Sequence, residues 1–397
     1  MNYNSYINWL KNNLFNTWYN SLLTIITLAV VFWFGSSFIQ WVLTEAQWNV
    51  ILANLRLFFV GRYPQDQIWR IWITLGLIIA LAGLTWGYFT RTGNLLDSTS
   101  LIILGILSLT CITLPLARFA HAIPTKIYSS LLLFVNLVLL IATGFLGRYI
   151  SKRFSFLGSY LSLLWLINFL IILWLLQGGL FLKPIRLDDL SGLILTLLTA
   201  IISIVLSFPF GILLALGRQS TLPVIRWLSI AYIEIIRGLP LIGILFMAQV
   251  MLPLVLSPDV RLDRVIRAIT GYTIFSAAYL AENVRGGLQS IPKGQYEAAK
   301  ALGLSTPLSL ALIILPQALK AVIPSMVGQF ISLFKDTSLL AIIGLVDLLG
   351  ISQSILANPK YIGRYAEVYL FIALIYFICC YAMSIAARKL EKKLATE

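Results

Sequence analysis

Glu297-Ala298-Ala299-Lys300-Ala301-Leu302-Gly303, running on to Ile313-Ile314-Leu315-Pro316, is a polar island in a chain otherwise made of long apolar runs. Pro292 and Gly294 break any preceding helix, and Tyr296 to Leu302 are good helix formers in which Glu297 and Lys300 can pair one turn apart. Gly303 falls where a helix commonly ends, because glycine takes the left-handed C′ conformation without a side-chain penalty. Ser305 or Thr306 can cap a second helix, whose first turn accepts Pro307 with no amide bond lost. The expected product is two short helices meeting at a rigid elbow, with small Ala298 and Ala299 giving a smooth face. These helix signals also suit an ordinary loop between two membrane spans. A chain that lives in lipid, however, gains nothing from such an elbow unless something in water grips it.

Composition places the chain in a bilayer. Hydrophobic residues make up 59% and charged residues 11% of its 397 residues, too few charges to cover a water-soluble surface of that size. The net charge of +14 is carried by residues scattered singly between apolar runs, which fits the loops of a membrane protein rather than a nucleic-acid-binding stripe. Crossing roughly 30 Å of hydrocarbon takes about 20 apolar residues. Windows of that kind predict an all-α polytopic protein with spans near 20–42, 71–90, 99–116, 128–146, 157–177, 192–216, 239–256, 267–284, 316–334 and 367–387, ten in all. Residues 1–189 hold the first five spans, flanked by Trp41, Trp48, Trp69, Trp72 and Trp86, and no recognisable chemistry. Residues 190–397 hold the other five spans and every motif. The stretch from Leu339 to Leu349 suits a short re-entrant or interfacial segment.

An even number of spans puts both termini on one side. Arg388, Lys389, Lys392 and Lys393 argue that this side is the cytoplasm, together with Arg148, Lys152, Arg153, Arg218, Arg226 and Arg237. The elbow falls on the same side. Against this trend, Arg261, Arg264 and Arg267 lie in an expected outer loop beside Asp259 and Asp263. The first apolar run follows a long polar N-terminus without a small-residue cleavage pattern, so it is expected to stay as an anchor. Cys111, Cys379 and Cys380 lie within expected spans and read as small apolar side chains. His121 reads as a solvated turn residue, and His and Cys spacing offers no metal site.

Glu282 sits near the inner end of the eighth span, where an unpaired carboxylate costs about 2.5–3.5 kcal/mol. Pairing with Arg285, one turn on, is one reading. The other is that Glu282 faces a cavity and meets the amino group of a cargo. Lys335, Asp336, Thr337 and Ser338 form a second polar cluster at the outer end of the ninth span, suited to a helix-ending loop or to a zwitterion's path. Glu234 and Arg237 have the i,i+3 spacing of a surface ion pair, after which Gly238 and Pro240 end that helix and set a gate's geometry.

The spacing EAA, three residues, Gly, nine residues, then Ile, one residue, Leu-Pro resembles the EAA loop of bacterial ABC importer permeases, the element that docks into the ATPase subunit. The flanking segments Ile233-Glu234-Ile235-Ile236-Arg237-Gly238-Leu239-Pro240-Leu241, Ala278-Tyr279-Leu280-Ala281-Glu282-Asn283-Val284-Arg285-Gly286-Gly287 and Lys335-Asp336-Thr337-Ser338-Leu339 are similar to those of the polar amino-acid permeases. The long N-terminal extension, with Tyr63-Pro64-Gln65-Asp66-Gln67-Ile68-Trp69-Arg70 inside it, resembles the longer permeases of the general L-amino-acid and glutamate/glutamine/aspartate/asparagine importers. Leu239 departs from the Thr or Val that many relatives carry there. The resemblance implies a type I permease core of five helices at 190–397 that forms an alternating-access pathway for polar L-amino acids. It implies ATPase coupling through Glu297, Ala298, Ala299, Gly303, Leu315 and Pro316, passed on at Arg285, Gly286, Gly287 and Gln317. It also implies that Lys335 to Ser338 line the substrate path.

The implied partners are two ABC ATPase copies, a second homologous or identical permease, an extracytoplasmic substrate-binding protein, an amino-acid substrate and membrane lipid, in the bacterial inner membrane. No GxxxxGK[ST] occurs, so ATP and Mg are expected on the partner ATPase, with no catalytic residue or cofactor on this chain. An ion-gradient-driven secondary transporter also lacks a P-loop, but calls for ionisable groups in several spans where Glu282 is nearly alone. A polytopic membrane enzyme calls for a Ser/His or Cys/His pair at the interface, which the sequence does not offer.

Overall fold

The structure is a computed structural model describing residues 3–90, 123–154, 158, 160–179, 181–257 and 262–396. It is all-helical: among the described residues the only β-type pairings are isolated bridges, Gly179 with Leu182 and Gly192 with Asp347. Helices are what lipid selects, because every backbone donor then finds its acceptor within the segment.

Two compact units are present, Met1–Val50 and Ile51–Glu397. In the first, α1 (Tyr3–Asn13) leads to α2 (Trp18–Gln40). The Thr17 hydroxyl caps α2 by accepting from the Asn20 amide, and a π turn, Trp41–Glu45, closes it. No residue of α2 is buried, and its side chains are apolar on every side, the pattern of a helix solvated by lipid.

The second unit begins within α3 (Asn49–Val60) and runs through α4 (Ile68–Phe89), α5 (Ile123–Arg153), α6 (Leu161–Gln177), α7 (Gly192–Arg218) and α8 (Pro223–Gly238). After them come α9 (Leu241–Val255), α10 (Arg264–Ser290), α11 (Lys293–Ala301), α12 (Thr306–Ala341), α13 (Leu348–Leu356) and α14 (Tyr365–Thr396). Six described segments are long and apolar enough to cross a membrane: Trp18–Glu45, Gln65–Phe89, Leu131–Arg153, Gly192–Arg218, Thr306–Ala341 and Tyr365–Arg388. The expected span at 99–116, with Cys111, lies outside the described residues, as do His121, Asp259 and Arg261.

The remaining expected spans depart from a plain transmembrane helix for physical reasons. The span at 157–177 is a helix of 17 residues, short of a full crossing. That at 239–256 is α9, bent by 106° from α8, because Gly238 and Pro240 close one helix and Pro240 forces Leu239 into an extended backbone. The pair counts as one broken span or a re-entrant loop. That at 267–284 is α10, whose 27 residues are long enough, about 40 Å, but which carries Arg264, Arg267, Glu282 and Arg285. Protein covers it instead of lipid: Val265, Ala268, Tyr272, Ala277, Ala278, Leu280, Ala281 and Val284 are all buried.

α4 and α5 lie parallel at backbone contact. A Cβ built at Gly87 would run into the Gly144 carbonyl, one at Gly147 into the Leu84 carbonyl, and one at Gly83 into the Thr143 hydroxyl. Gly83 and Gly87 thus act as a small-xxx-small seam of the kind that joins helices in lipid. Gly87→Leu is expected to separate the pair and to cost about 1–3 kcal/mol or more, read as a lower midpoint in a thermal melt of the detergent-solubilised protein.

Residues on both sides of position 190 share one core. Tyr63, Leu176 and Ile185 pack with Leu195, Leu245, Val265, Tyr272, Leu333 and Leu340. Polar bonds pin the same junction: the Arg62 amide donates to the Ser191 hydroxyl at 2.7 Å, and the Tyr63 hydroxyl to the Leu176 carbonyl at 3.1 Å. At this end of α7 the Gly192 amide donates to the Val346 carbonyl, and buried Asp347 caps α13 by accepting from the Gly350 amide.

Candidate functional site

The elbow begins at Pro292 and rises as α11. Its end is a Schellman turn: the Gly303 amide donates to the Lys300 carbonyl at 3.0 Å, and the Leu304 amide reaches back to the Ala299 carbonyl at 3.2 Å. That geometry puts Gly303 at φ +71°, which only glycine adopts readily. Ser305 stands at the N-cap of the next helix with Pro307 in its first turn, although its hydroxyl makes no capping bond.

The second limb is not the separate short helix expected from sequence. It continues through a π turn, Leu310–Ile314, into the long helix that ends at Ala341. Pro316 accounts for this, since its ring displaces the carbonyl four residues back, and the π turn absorbs the displacement without breaking the helix. The same device occurs in α9, where a π turn, Met247–Met251, meets Pro253.

The elbow has an anchored face and a free one. Ala299 is fully buried and Leu315 partly so, while Ile314 and Ala318 join a core with Ala215, Ile233, Ala281, Val284 and Leu288. The Tyr296 hydroxyl donates to the Leu288 carbonyl of α10 at 3.3 Å, and Gln317 of α12 donates to Gln295 at 3.2 Å. Glu297, Ala298, Lys300, Gly303 and Pro316 are exposed, and Leu302, Leu308 and Leu312 show 76%, 49% and 65% of their surface. Glu297 and Lys300, expected to pair, make no ion pair with each other. Both charges stay exposed on the elbow's outer side. Behind the elbow, α10 and α12 touch at Gly287, where a Cβ would stand 2.5 Å from the Ala318 carbonyl, whereas Gly286 faces open space.

One helix turn above lies a charge clamp. Glu282 Oε1 accepts from Arg218 at 2.8 Å, and Oε2 faces Arg285 at 2.8 Å and Arg237 at 3.4 Å. Arg218 also bonds Glu234 Oε1 at 3.0 Å, and the Arg237 guanidinium lies 5.5 Å over the Tyr279 ring. The expected i,i+3 pair of Glu234 with Arg237 therefore does not form. Glu282 is the more buried carboxylate, 15% exposed against 55% for Glu234, so its need for compensation is greater and it draws Arg237 across from α8. Both Glu282 oxygens are taken by guanidinium groups from α7, α8 and α10, so this one carboxylate ties three helices together. Arg218 has no sequence signal beyond being the one charge at the end of a long apolar helix.

Lys335 to Ser338 lie elsewhere. The Tyr272 hydroxyl donates to the Asp336 carbonyl at 2.8 Å, and Tyr272 precedes Glu282 by about 15 Å along α10. Lys335 is exposed, Asp336 and Ser338 are half-buried, and Thr337 is buried with its hydroxyl on the Phe334 carbonyl at 2.6 Å. Leu239 is extended and 38% exposed, so the turn accepts its bulk.

Residues 207–396 match the family model described as the binding-protein-dependent transport system inner membrane component. The chain is 37% identical to an inner membrane amino-acid ABC transporter permease protein of Escherichia coli, over 98% of this chain and 93% of the relative. It is 36% identical to the glutamate/glutamine/aspartate/asparagine transport system permease protein of Rhodobacter capsulatus, again over 98% of this chain and 93% of the relative. A probable glutamine ABC transporter permease of Bacillus subtilis is 42% identical but spans only 51% of this chain, while 91% of its own length is covered. The elbow, the clamp behind it and likeness along nearly the whole of two relatives meet in one assignment: the chain belongs to the inner-membrane permease components of binding-protein-dependent ABC import systems.

Proposed function

We propose that this chain forms an alternating-access pathway for polar L-amino acids and takes its driving force from a separate ATPase at the elbow. The elbow's architecture carries the reading. Its outer face offers Glu297, Ala298, Leu302, Leu308 and Leu312, and its inner face is bonded to α10 and α12 through Tyr296 and Gln317. A push on that face is delivered to α10, the helix that carries Glu282. The clamp of Glu282 with Arg218, Arg237 and Arg285 acts as the inner gate's latch, and Gly238, Pro240 and the 106° bend let α8 move against α9.

Residues 1–189 form the extension and 190–397 the permease core. Arg218, Arg226, Arg237, Arg285, Lys293 and Lys300 gather at the elbow's end of the bundle, which supports a cytoplasmic side for that end; an even number of spans then gives both termini the same side. In the assembly, two ATPases hold the ATP and Mg, a second permease completes the pathway, and a binding protein delivers substrate to the outer face. Lys335, Asp336 and Ser338 line the pathway, a role supported by opposite charges and a hydroxyl beside one another, while Thr337, buried with its hydroxyl on the Phe334 carbonyl, holds their turn. The substrates of the Rhodobacter capsulatus relative favour glutamate, glutamine, aspartate and asparagine.

Uptake of a panel of labelled amino acids by the reconstituted complex tests this. Competitive uptake of polar amino acids that stops when ATP is withheld is expected. Uptake that persists without ATP and follows an ion gradient contradicts the reading.

A further inference from the structure

α10 carries Glu282 near its elbow end and begins at Arg264, about 27 Å away at the opposite end of the bundle. That far end is covered by a strap, residues 182–190, on the way from α6 to α7. Ile185 and Leu190 are buried there against Val265, Ala268 and Ile269 of α10, with Leu187 packed beside them. A polar tie adds to the apolar one, since the Arg264 Nε donates to Asp188 at 3.1 Å.

The other end of the strap is fastened to α4 and to the end of α6. Arg70 of α4 is 1% exposed and donates to the Lys183 carbonyl at 2.9 Å, while the exposed Lys183 ammonium reaches Asp66 at 3.4 Å. The Ile185 amide donates to the Gln177 carbonyl at 2.7 Å, and Gly179 and Leu182 exchange two backbone bonds of 2.9 Å. Gly178, at φ +79°, lies so close to the Lys183 carbonyl and to Arg70 that a Cβ would not fit. Arg70 makes no ion pair among the described residues. Burying a guanidinium without a carboxylate is unfavourable, so its commitment to a backbone carbonyl points to placement of the strap rather than to stability.

The family model begins at residue 207, so Arg70 and the strap lie outside the shared region, whereas Glu282 and the elbow lie within it. What the extension adds to the common machinery is a fixed point. A helix pushed at one end tilts about the other only if that other end is held; unheld, it slides. We propose that Arg70 is a positioning residue for transport, which through the strap pins the outer end of α10 so that motion at the elbow tilts this helix and opens the clamp only while the outer end stays closed. The inference rests on the alternating-access reading above and assigns the extension its part in it.

The test uses the assembled complex in nanodiscs, open to reagent on both faces, in a background without the native cysteines. Ala268→Cys, buried beneath the strap, reports lifting of the strap by maleimide labelling, and Ala318→Cys, buried behind the elbow, reports general loosening. Arg70→Gln is expected to speed labelling at position 268 about tenfold and to leave position 318 unchanged. The number of amino acids imported per ATP hydrolysed is expected to fall about fivefold, a ratio that a mere loss of folded protein does not move. Arg70→Lys, which keeps a cationic donor for the single bond, is expected to restore most of it. Asp188→Asn weakens the hold on α10 from the surface, so it stays interpretable should Arg70→Gln fold poorly, and is expected to speed labelling at 268 about 2–5-fold. Because both substitutions act on one strap, the double variant is expected to label as Arg70→Gln does, and effects that multiply overturn the proposal. Labelling or an import ratio equal to the wild type's in both variants overturns it too, as does faster labelling at 268 and 318 alike. Wild-type uptake without ATP contradicts the ATP-driven reading instead, and the labelling arms then decide the strap alone.

Discussion

Gly303→Pro is expected to abolish uptake and substrate-stimulated ATP hydrolysis, a loss of at least about a hundredfold, while the chain still inserts and assembles with its second permease. Two separate demands at this position drive the effect. The backbone needs φ +71° and proline fixes φ near −65°, and the Gly303 amide that closes the turn on Lys300 disappears. Without the Schellman turn, α11 loses its angle to α12, and Glu297, Leu302 and Leu312 no longer share a surface. The bundle above is held by its own cores, so insertion survives. Gly303→Asn, which tolerates the left-handed region, is expected to retain most activity. Glu297→Lys is expected to block coupling as well by reversing a charge on the docking face. The paired assay is uptake and ATP hydrolysis in one proteoliposome preparation, and normal coupling in the proline variant removes the elbow's assigned role.

The second large effect is expected at the clamp. Glu282→Gln leaves Arg218, Arg237 and Arg285 facing one another with no carboxylate between them. Breaking a buried pair by removing one partner costs about 3–5 kcal/mol, and the partial exposure of these arginines brings the expected loss nearer 2 kcal/mol. Uptake is expected to fall tenfold or more for every amino acid alike, with ATP hydrolysis no longer stimulated by substrate. Arg237→Gln, at the longest of the three contacts, is expected to be milder. A double-mutant cycle of Glu282→Gln with Arg218→Gln separates the pair's coupling from the effect of an unpaired charge. A change in the order of preferred amino acids, without a general loss, instead assigns Glu282 to substrate reading.

What the sequence made legible follows the range of the interactions involved. The elbow's start, its glycine stop and Pro307 are local chemistry settled within a few residues, and the structure places them as the spacing predicts. The bend at Gly238 to Pro240 is local too, and it ends α8 where expected. The clamp is different. Arg218 and Glu282 are 64 positions apart, and no spacing rule links them, so the nearer partners Arg237 for Glu234 and Arg285 for Glu282 were the legible pairs. Only the second of these forms, joined by two arginines from other helices.

Span counting met a similar limit. It finds helices that lipid solvates, such as α2, but α10 is covered by neighbouring helices and so tolerates charge that a window rule penalises. The seam at Gly83 and Gly87 was likewise hidden, since a pair of glycines becomes an interface only once α5 brings Gly144 and Gly147 against it. The junction near position 190 shows the same effect on a larger scale: composition separates a motif-free half from a motif-rich one, whereas Tyr63 and Leu176 pack into the core built on α7 and α10.

The central claim is that the elbow meets an ATPase on the cytoplasmic side and passes its motion to the clamp. The most direct measurement is site-specific crosslinking from Leu312→Cys, in a background without the native cysteines, to the partner ATPase in the assembled complex with and without ATP. The account predicts a crosslink to the ATPase whose yield changes on ATP binding, together with labelling of that cysteine only from the cytoplasmic face. Labelling from the extracytoplasmic face, or no crosslink to any nucleotide-hydrolysing subunit in an active complex, contradicts it.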